Sequence, residues 1–572
     1  MTGVTLSTLR ARLGRIGRFA EAEREAPVRA RFVAWGVMCV FGLIALKAGA
    51  VALDPAQANS VRSSPFEAPI RRADIVDRNG ELLATSVEVY SLFADPRAIW
   101  DPEATARQLA EILPGLDADA LAERLSNRDR AFVWVRRGLT PRQRQAVFAL
   151  GLEGLGFRTE RRRAYPRGAL AGHVLGYTSV DGAGLGGVEL SQDARLTEGG
   201  GPLTLTLHSG VQFALEAELA RAAARHGAAG GAGLVIEVST GEVWALASWP
   251  AFDPNRAHEI PADAPGRLNR ASGAVYELGS VFKPLTVAAA LEAGVLHPAE
   301  TFDTETPIPI GRFEIDDLHP IGVSASVTEI VAESSNIGTV HIGQRLGEAR
   351  LIAFLERAGL LSAVPIELPG HAPPLVPQSW RPITVATVSY GHGLAVSPLA
   401  FATALAALGN EGVWTAPTLI APANPDPERQ PPETRRLVSP EVARQVVDMM
   451  REAVRDGTGS RADVAGYRVA GKTGTAEKPD AGGYADDRNI TSFAALFPAE
   501  RPQYALLIVL DDPKPEIRAD GVRTGVTSAW NAAPTAGRTI ERIAPLLDIV
   551  PRLEPDGTSL SVAETSDGRA TP

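Results

Sequence analysis

Apolar positions along the chain fall into three regimes. The first is a near-continuous run, with fifteen uncharged residues from Phe32 to Leu46, then Lys47, then Ala48 to Leu53. These 22 residues with one charge suffice to cross a hydrocarbon core of about 30 Å at about 1.5 Å per residue. The run is longer than a signal-peptide core, and Lys47 interrupts the region where cleavage would fall, so an uncleaved transmembrane helix is expected over 32–53. Residues 1–31 carry seven arginines against three glutamates, which orients that tail to the cytoplasm and everything from residue 54 outward.

The second regime is strand-like. Ala73–Gly80 and the residues after it read as a hairpin turning at Asn79-Gly80. Leu234–Val238 and Glu242–Ser248 read as strands around a Ser-Thr-Gly turn, and Thr491–Phe497 and Tyr504–Leu510 as strands far downstream. The third regime is helical. His208–His226 ends at Gly227, residues 101–150 read as mainly helical, and 525–547 as a helix that must accommodate Pro534. The glycine-rich stretch 165–200 suits turns. Strands at both ends of a long helical middle predict an α+β domain whose antiparallel sheet, flanked by helices, recruits both ends of its chain.

The expected organisation is a tail (1–31), a transmembrane helix (32–53), an elongated α+β pedestal module (54–230), a second α+β domain (231–547) and a disordered tail (548–572), the last rich in Pro, Ser, Thr and Asp. A length of 572 residues is in keeping with two to four domains. The net charge of −10 argues against a general nucleic-acid binder. A single cysteine excludes an internal disulfide and multi-cysteine metal sites, and the nine histidines form no His-Glu-x-x-His pair. No cofactor is expected.

Three short motifs carry the chemistry. Ser280-Val-Phe-Lys283 precedes an apolar helical run, and residues three apart at a helix start share a face. A lysine there accepts the serine proton only when neutral, which burial or a neighbouring cation promotes. Alone, the pair fits a solvated helix turn equally well. Ser334-Ser335-Asn336 alone resembles a helix cap. Lys472-Thr473-Gly474-Thr475 also completes a Walker A pattern from Gly466, but a P-loop requires a helix directly after Lys-Thr, and no helical period follows.

The order Ser-x-x-Lys, Ser-x-Asn, Lys-Thr-Gly-Thr on one exported chain resembles the penicillin-binding protein and serine β-lactamase superfamily. Arg72-Ala-Asp-Ile-Val-Asp-Arg-Asn-Gly80, Gly172–Gly176 and Gly186–Glu189 resemble the non-catalytic module of class B penicillin-binding proteins. Phe252–Asn255 and Tyr390–Pro398 resemble segments of the transpeptidase domain. Val275–Ser280 and Gly471–Ala476 look most like the division-specific (septal) branch.

The resemblance implies a peptidoglycan D,D-transpeptidase in a bacterial inner membrane with a periplasmic catalytic domain. Ser280 is then the nucleophile and Lys283 its base. Ser334, in contact with Lys472, relays the proton to the leaving amine, and Asn336 holds Lys283. Thr473, Gly474 and Thr475 bind the substrate carboxylate. Implied partners are stem peptides as D-alanyl-D-alanine donor and amine acceptor, β-lactams, a membrane glycan polymerase and other division proteins. The rivals are an elongation-specific transpeptidase, a β-lactamase, a penicillin-sensing receptor and a division scaffold with a degenerate pocket. His392 reads as a packing residue, Trp244 and Trp249 as core, and Asp316-Asp317 as a solvated loop.

Overall fold

The computed structural model describes residues 35, 38–42, 72–198, 201–422, 431–480, 483–517 and 521–552. The expected span 32–53 and the tail 1–31 lie outside the described residues, apart from Trp35 and Met38–Gly42, which are helical. No helix of the described residues is long and apolar enough to cross a membrane.

The pedestal begins with the expected hairpin. Strand β1 (Ile75–Val76) pairs antiparallel with β2 (Leu82–Ala94). Asp77 Oδ1 accepts the Asn79 and Glu81 amides at 2.9 Å, and Gly80 takes the positive φ of +83° that the turn requires. Helices α1 (Pro102–Ile112) and α2 (Ala118–Ser126) follow, each opened by an aspartate whose side chain accepts from the first turn. The stretch 101–150 is not uniformly helical. Between α2 and α3 (Pro141–Ala149) lies β3 (Val133–Leu139), in which Val133, Val135 and Leu139 are buried. Arg136 and Arg137 mask that alternation in the sequence. Strands β3 and β4 (Leu155–Ala164) flank β2, and leucines of α1 and α2 pack against Leu92, Val135 and Leu139. The glycine-rich stretch after β4 holds three short helices, Gly172–Leu175, Gly187–Ser191 and Asp193–Thr197, rather than turns alone.

An ionic knot closes the pedestal. Glu189, with no exposed side-chain surface, receives both Arg72 and Arg163, and Arg72 also reaches Asp193 at 2.6 Å. Strand β5 (Leu203–Thr204) runs parallel to β1 and leads into α4 (Ser209–His226), which stops at Gly227 in the left-handed conformation, as the sequence indicates.

The larger domain is built on five antiparallel strands: β6 (Gly230–Glu237), β7 (Val243–Trp249), β8 (Ala470–Asp480), β9 (Gly483–Phe497) and β10 (Tyr504–Asp511). Their order is β8-β9-β10-β6-β7, so both ends of the domain sequence do meet in one sheet. α4 and a C-terminal helix, Ala532–Ile543, cover one face through Leu215, Leu219 and Ile540. Pro534 lies in the first turn of the latter, where its missing N–H leaves no bond unmade. Three helices fill the other face: α5 (Lys283–Glu292), α8 (Pro398–Gly409) and α9 (Pro440–Arg455). Two more, α6 (Val327–Ala332) and α7 (Asn336–Leu346), lie between them in sequence. Residues 548–552, expected to begin a disordered tail, are tied to the domain at two points. Ile549 is buried, and the Arg552 amide donates to the Gly466 carbonyl at 2.8 Å. Residues 553–572 lie outside the described residues.

Replacing Glu189 by Ala leaves the guanidiniums of Arg72 and Arg163 without their common carboxylate. Stability is expected to drop by about 3–5 kcal/mol, read as a lower denaturant midpoint.

Candidate active site

Ser280 lies on a 3-10 turn, Gly279–Phe282, that runs directly into α5 with Lys283 as its first residue. One turn therefore carries both side chains. The run Leu285–Leu291 is buried throughout, so α5 is a core helix that anchors this turn rigidly.

Lys283 is fully buried. Its Nζ donates to the Ser334 carbonyl, to Ser334 Oγ at 3.2 Å and to Asn336 Oδ1 at 2.9 Å. The first two motifs, 54 residues apart, thus meet at one nitrogen. Ser334 takes a positive φ of +70°, a strained conformation for a residue with a Cβ. That conformation belongs to the turn which brings both its carbonyl and its hydroxyl to Lys283.

The third motif arrives by backbone contact. Gly279 has φ +63°, and a Cβ built there would stand 2.7 Å from the Thr475 carbonyl oxygen and 3.3 Å from its nitrogen. A Cβ on Gly474 would stand 2.3 Å from the Leu278 carbonyl oxygen. Glycine at both positions lets β8 lie against the nucleophile turn with main chain touching main chain. The same turn is held from its other side, where the Gly279 amide donates to the Gly391 carbonyl at 3.1 Å.

The pleat sorts the residues of the third motif. The Cβ direction of Gly474 points to the nucleophile turn and that of Gly471 to Phe493, so Lys472 and Gly474 share the face towards Ser280. Lys472 is fully buried, and its Nζ donates to the Thr473 carbonyl at 3.2 Å and hydroxyl at 3.3 Å. The expected contact between Ser334 and Lys472 is therefore not made here. Lys472 turns back on its own strand, and it is Lys283 that touches Ser334. Thr473 Oγ1 also bonds Thr458 Oγ1 at 2.9 Å, while Thr475 Oγ1 accepts the Ser528 amide at 3.1 Å. Thr458 and Ser528 lack any motif signature and are found only through the fold. A strand, not a helix, follows Lys472-Thr473, which removes the P-loop reading.

Two buried lysines in one crevice set its electrostatics. Burial pulls Lys283 well below the usual lysine range; the charge of Lys472 pulls it further, and Asp317 opposes both. Lys472 is drawn down to about 7 by burial, against the pull of Glu333. His392 is held near 4 by burial and then by Lys283, and its Nδ1 is buried without a hydrogen-bond partner. Its ring lies between Tyr390 and Tyr484, with centroids at 5.3 and 6.1 Å, in keeping with a packing role. Tyr484 OH in turn donates to Glu277 at 3.1 Å.

Asp317 corrects the sequence reading. It is not a solvated loop residue but a buried carboxylate at the start of α7, where it accepts from Ser335 Oγ at 2.5 Å and from the Asn336 and Ile337 amides. Among the described residues no cluster of His, Cys, Asp or Glu forms a metal site.

Residues 231–529 match the penicillin binding protein transpeptidase domain, and residues 67–196 the penicillin-binding protein dimerisation domain. The chain is 41% identical over 496 residues to the probable peptidoglycan D,D-transpeptidase FtsI of Caulobacter vibrioides, covering 84% of this chain and 82% of that one. It is 32% identical over 477 residues to the peptidoglycan D,D-transpeptidase FtsI of Escherichia coli, covering 77% and 79%. Penicillin binding protein 3 of Mycobacterium tuberculosis, solved in complex with aztreonam, superposes with a TM-score of 0.66 at 28% identity, covering 85% of this chain and 98% of that one. Motifs that converge on Lys283, a dimerisation module ahead of the transpeptidase domain and likeness to FtsI proteins over about four-fifths of the chain together place this chain among the class B penicillin-binding proteins, in the branch of the division transpeptidases.

Proposed function

We propose that the chain cross-links peptidoglycan stem peptides at the division septum through an acyl-enzyme on Ser280, and that β-lactams block it at the same serine. The observation that carries this reading is the convergence on Lys283 of Ser334 and Asn336, with Gly474 of the third motif pressed against the serine turn.

Ser280 Oγ attacks the carbonyl between the two terminal D-alanines, and its proton passes to Lys283. Three acceptors surround Lys283 Nζ, enough for all the protons of an ammonium. Burial and Lys472 oppose that charge, so one proton is weakly held and the lone pair becomes available as Ser280 approaches. The hydrogen bonds of Nζ go to Ser334 and Asn336 rather than to Ser280 Oγ, and a catalytic contact of this kind tightens in the substrate complex.

Collapse of the tetrahedral intermediate breaks the C–N bond. Ser334, within 3.2 Å of Lys283, relays the proton to the departing D-alanine amine. The amides of Ser280 and Thr475 face the developing oxyanion, a contribution of about 3–4 kcal/mol per donor. Thr473, Gly474 and Thr475 bind the substrate's terminal carboxylate. That anion favours the charged form of Lys472, so binding donor and completing the positive crevice are one event. An amine from a neighbouring stem then attacks the ester, forming the new amide and returning the proton to Ser280 Oγ.

The segment 32–53 anchors the enzyme in the inner membrane with residues 1–31 in the cytoplasm and the catalytic domain in the periplasm. On this reading glycan polymerisation falls to a membrane partner, and this chain supplies the cross-linking step through its transpeptidase domain.

Fluorescent penicillin is expected to label the wild-type chain covalently and Ser280→Ala not at all; undiminished labelling of that variant refutes the nucleophile. Gly474→Ala sets a methyl group against the Leu278 carbonyl and is expected to slow acylation by about 100-fold, the cost of roughly 1 Å of misplacement, with labelling followed over time. Depletion in cells is expected to give filaments. Rounded cells assign the enzyme to elongation instead.

A further inference from the structure

The acceptors that hold Lys283 need a support of their own. Asn336 is the first residue of α7, and helix N-termini leave their first amides without intrahelical partners. Asp317, 19 residues earlier, fills that gap. Its Oδ1 accepts the Asn336 amide and the Ile337 amide, the latter at 3.2 Å, and its Oδ2 accepts Ser335 Oγ–H at 2.5 Å. Ser335 Oγ in turn accepts the Gly338 amide at 2.9 Å. The preceding residue completes the clamp, because the Asp316 carbonyl accepts Asn336 Nδ2 at 3.1 Å. With Nδ2 held there, the amide of Asn336 is fixed in orientation and its Oδ1 is left facing Lys283 Nζ at 2.9 Å.

Asp317 is buried, so its charge is poorly screened by water. Two charged groups act on Lys283, Lys472 from β8 and Asp317 from this loop; Lys283 in turn acts on His392, from the turn after residue 389. Asp317 supplies the negative charge that acts on Lys283, whereas the carboxylate of Glu333, next to Ser334, acts on Lys472.

On the reading that Lys283 is the general base, we propose that Asp317 is a positioning residue for it. Its carboxylate fixes the Ser335–Ile337 turn so that Asn336 Oδ1 stays on Nζ, and its charge counters that of Lys472 across the same nitrogen.

The test is the rate of acylation of the full-length chain by a fluorescent penicillin, measured against pH, with Ser280→Ala as control. The rising limb reports loss of the proton from the base of the free enzyme. Asp317→Asn keeps the size and an acceptor oxygen while removing the charge that favours protonated Lys283. The free amine then forms at lower pH, so the limb is expected to move by about one pH unit towards acid. A limb that stays in place while the plateau falls shows a merely structural residue and overturns the assignment, as does a shift towards alkali.

Asp317→Glu keeps the charge on a longer arm and is expected to hold the wild-type limb while losing rate. It decides the matter where the neutral variant does not fold, because a displaced limb or a full wild-type rate in Asp317→Glu overturns the assignment. A wild-type chain that is not acylated at Ser280 sinks the proposed function itself. Normal acylation with an unmoved limb sinks only the role of Asp317.

Discussion

Two primary amines are held in one dry crevice, and the rest of the catalytic domain is arranged around that fact. Lys283 and Lys472 have no exposed surface, and among the described residues neither forms an ion pair with a carboxylate. Taking an unpaired ammonium out of water costs several kcal/mol, so such a group gives up part of its proton affinity instead. A serine needs this property in its base. Neutral acceptors on Ser334 and Asn336 keep Lys283 in place without cancelling the shift, as a direct carboxylate partner would do. Asp317 acts one step removed, on the main chain of the residue whose side-chain oxygen meets the amine.

The crevice exists because three main-chain segments approach more closely than side chains permit. The serine turn lies between the Tyr390–Gly393 turn and β8, through Gly391, Gly279 and Gly474. Backbone-to-backbone packing fixes distances better than flexible side chains do, and each segment grows from a buried element. α5 is buried from Lys283 to Leu291, and β8 is zipped to β9 over residues 470–477. Precision at the serine turn is thus borrowed from the core.

What the sequence disclosed followed from locality. Ser280 and Lys283 are one turn apart, and the strands at 234–238, 242–248, 491–497 and 504–510 declare themselves by apolar runs between turn residues. α4 ends at Gly227 as its pattern indicates. The misreadings involve partners distant in the chain. Asp316-Asp317 looks like any exposed acidic pair until α7 presents its N-terminus to it. Thr458 and Ser528 belong to no motif and reach the third motif only by folding. β3 was hidden because two arginines stand where its exposed face alternates with Val133 and Val135. The contact expected between Ser334 and Lys472 rested on the family pattern alone, and rotation about a lysine side chain is enough to move it to Lys283.

The sheet treats its two edges differently, and this connects the pedestal to the chemistry. An open edge strand is an invitation to unwanted pairing. The β7 edge is closed: Gln212 bonds Leu246 through both its amide groups at 2.8 Å, the His208 amide reaches the Trp244 carbonyl, and the Val243 amide reaches Thr418. α4, which supplies Gln212, is itself capped by Asp77 of the pedestal hairpin through the Ser209 amide at 2.9 Å. Arg78 of that hairpin stacks on Trp244 with its guanidinium 3.4 Å from the ring. The pedestal therefore belongs to the structure that seals the edge farthest from the serine. At the opposite edge the serine turn packs against β8 at Gly474, and on the proposed function this is the edge to which an extended peptide would add, its carboxylate at Thr473–Thr475. On that reading, sealing the β7 edge leaves strand addition to the edge beside the nucleophile turn.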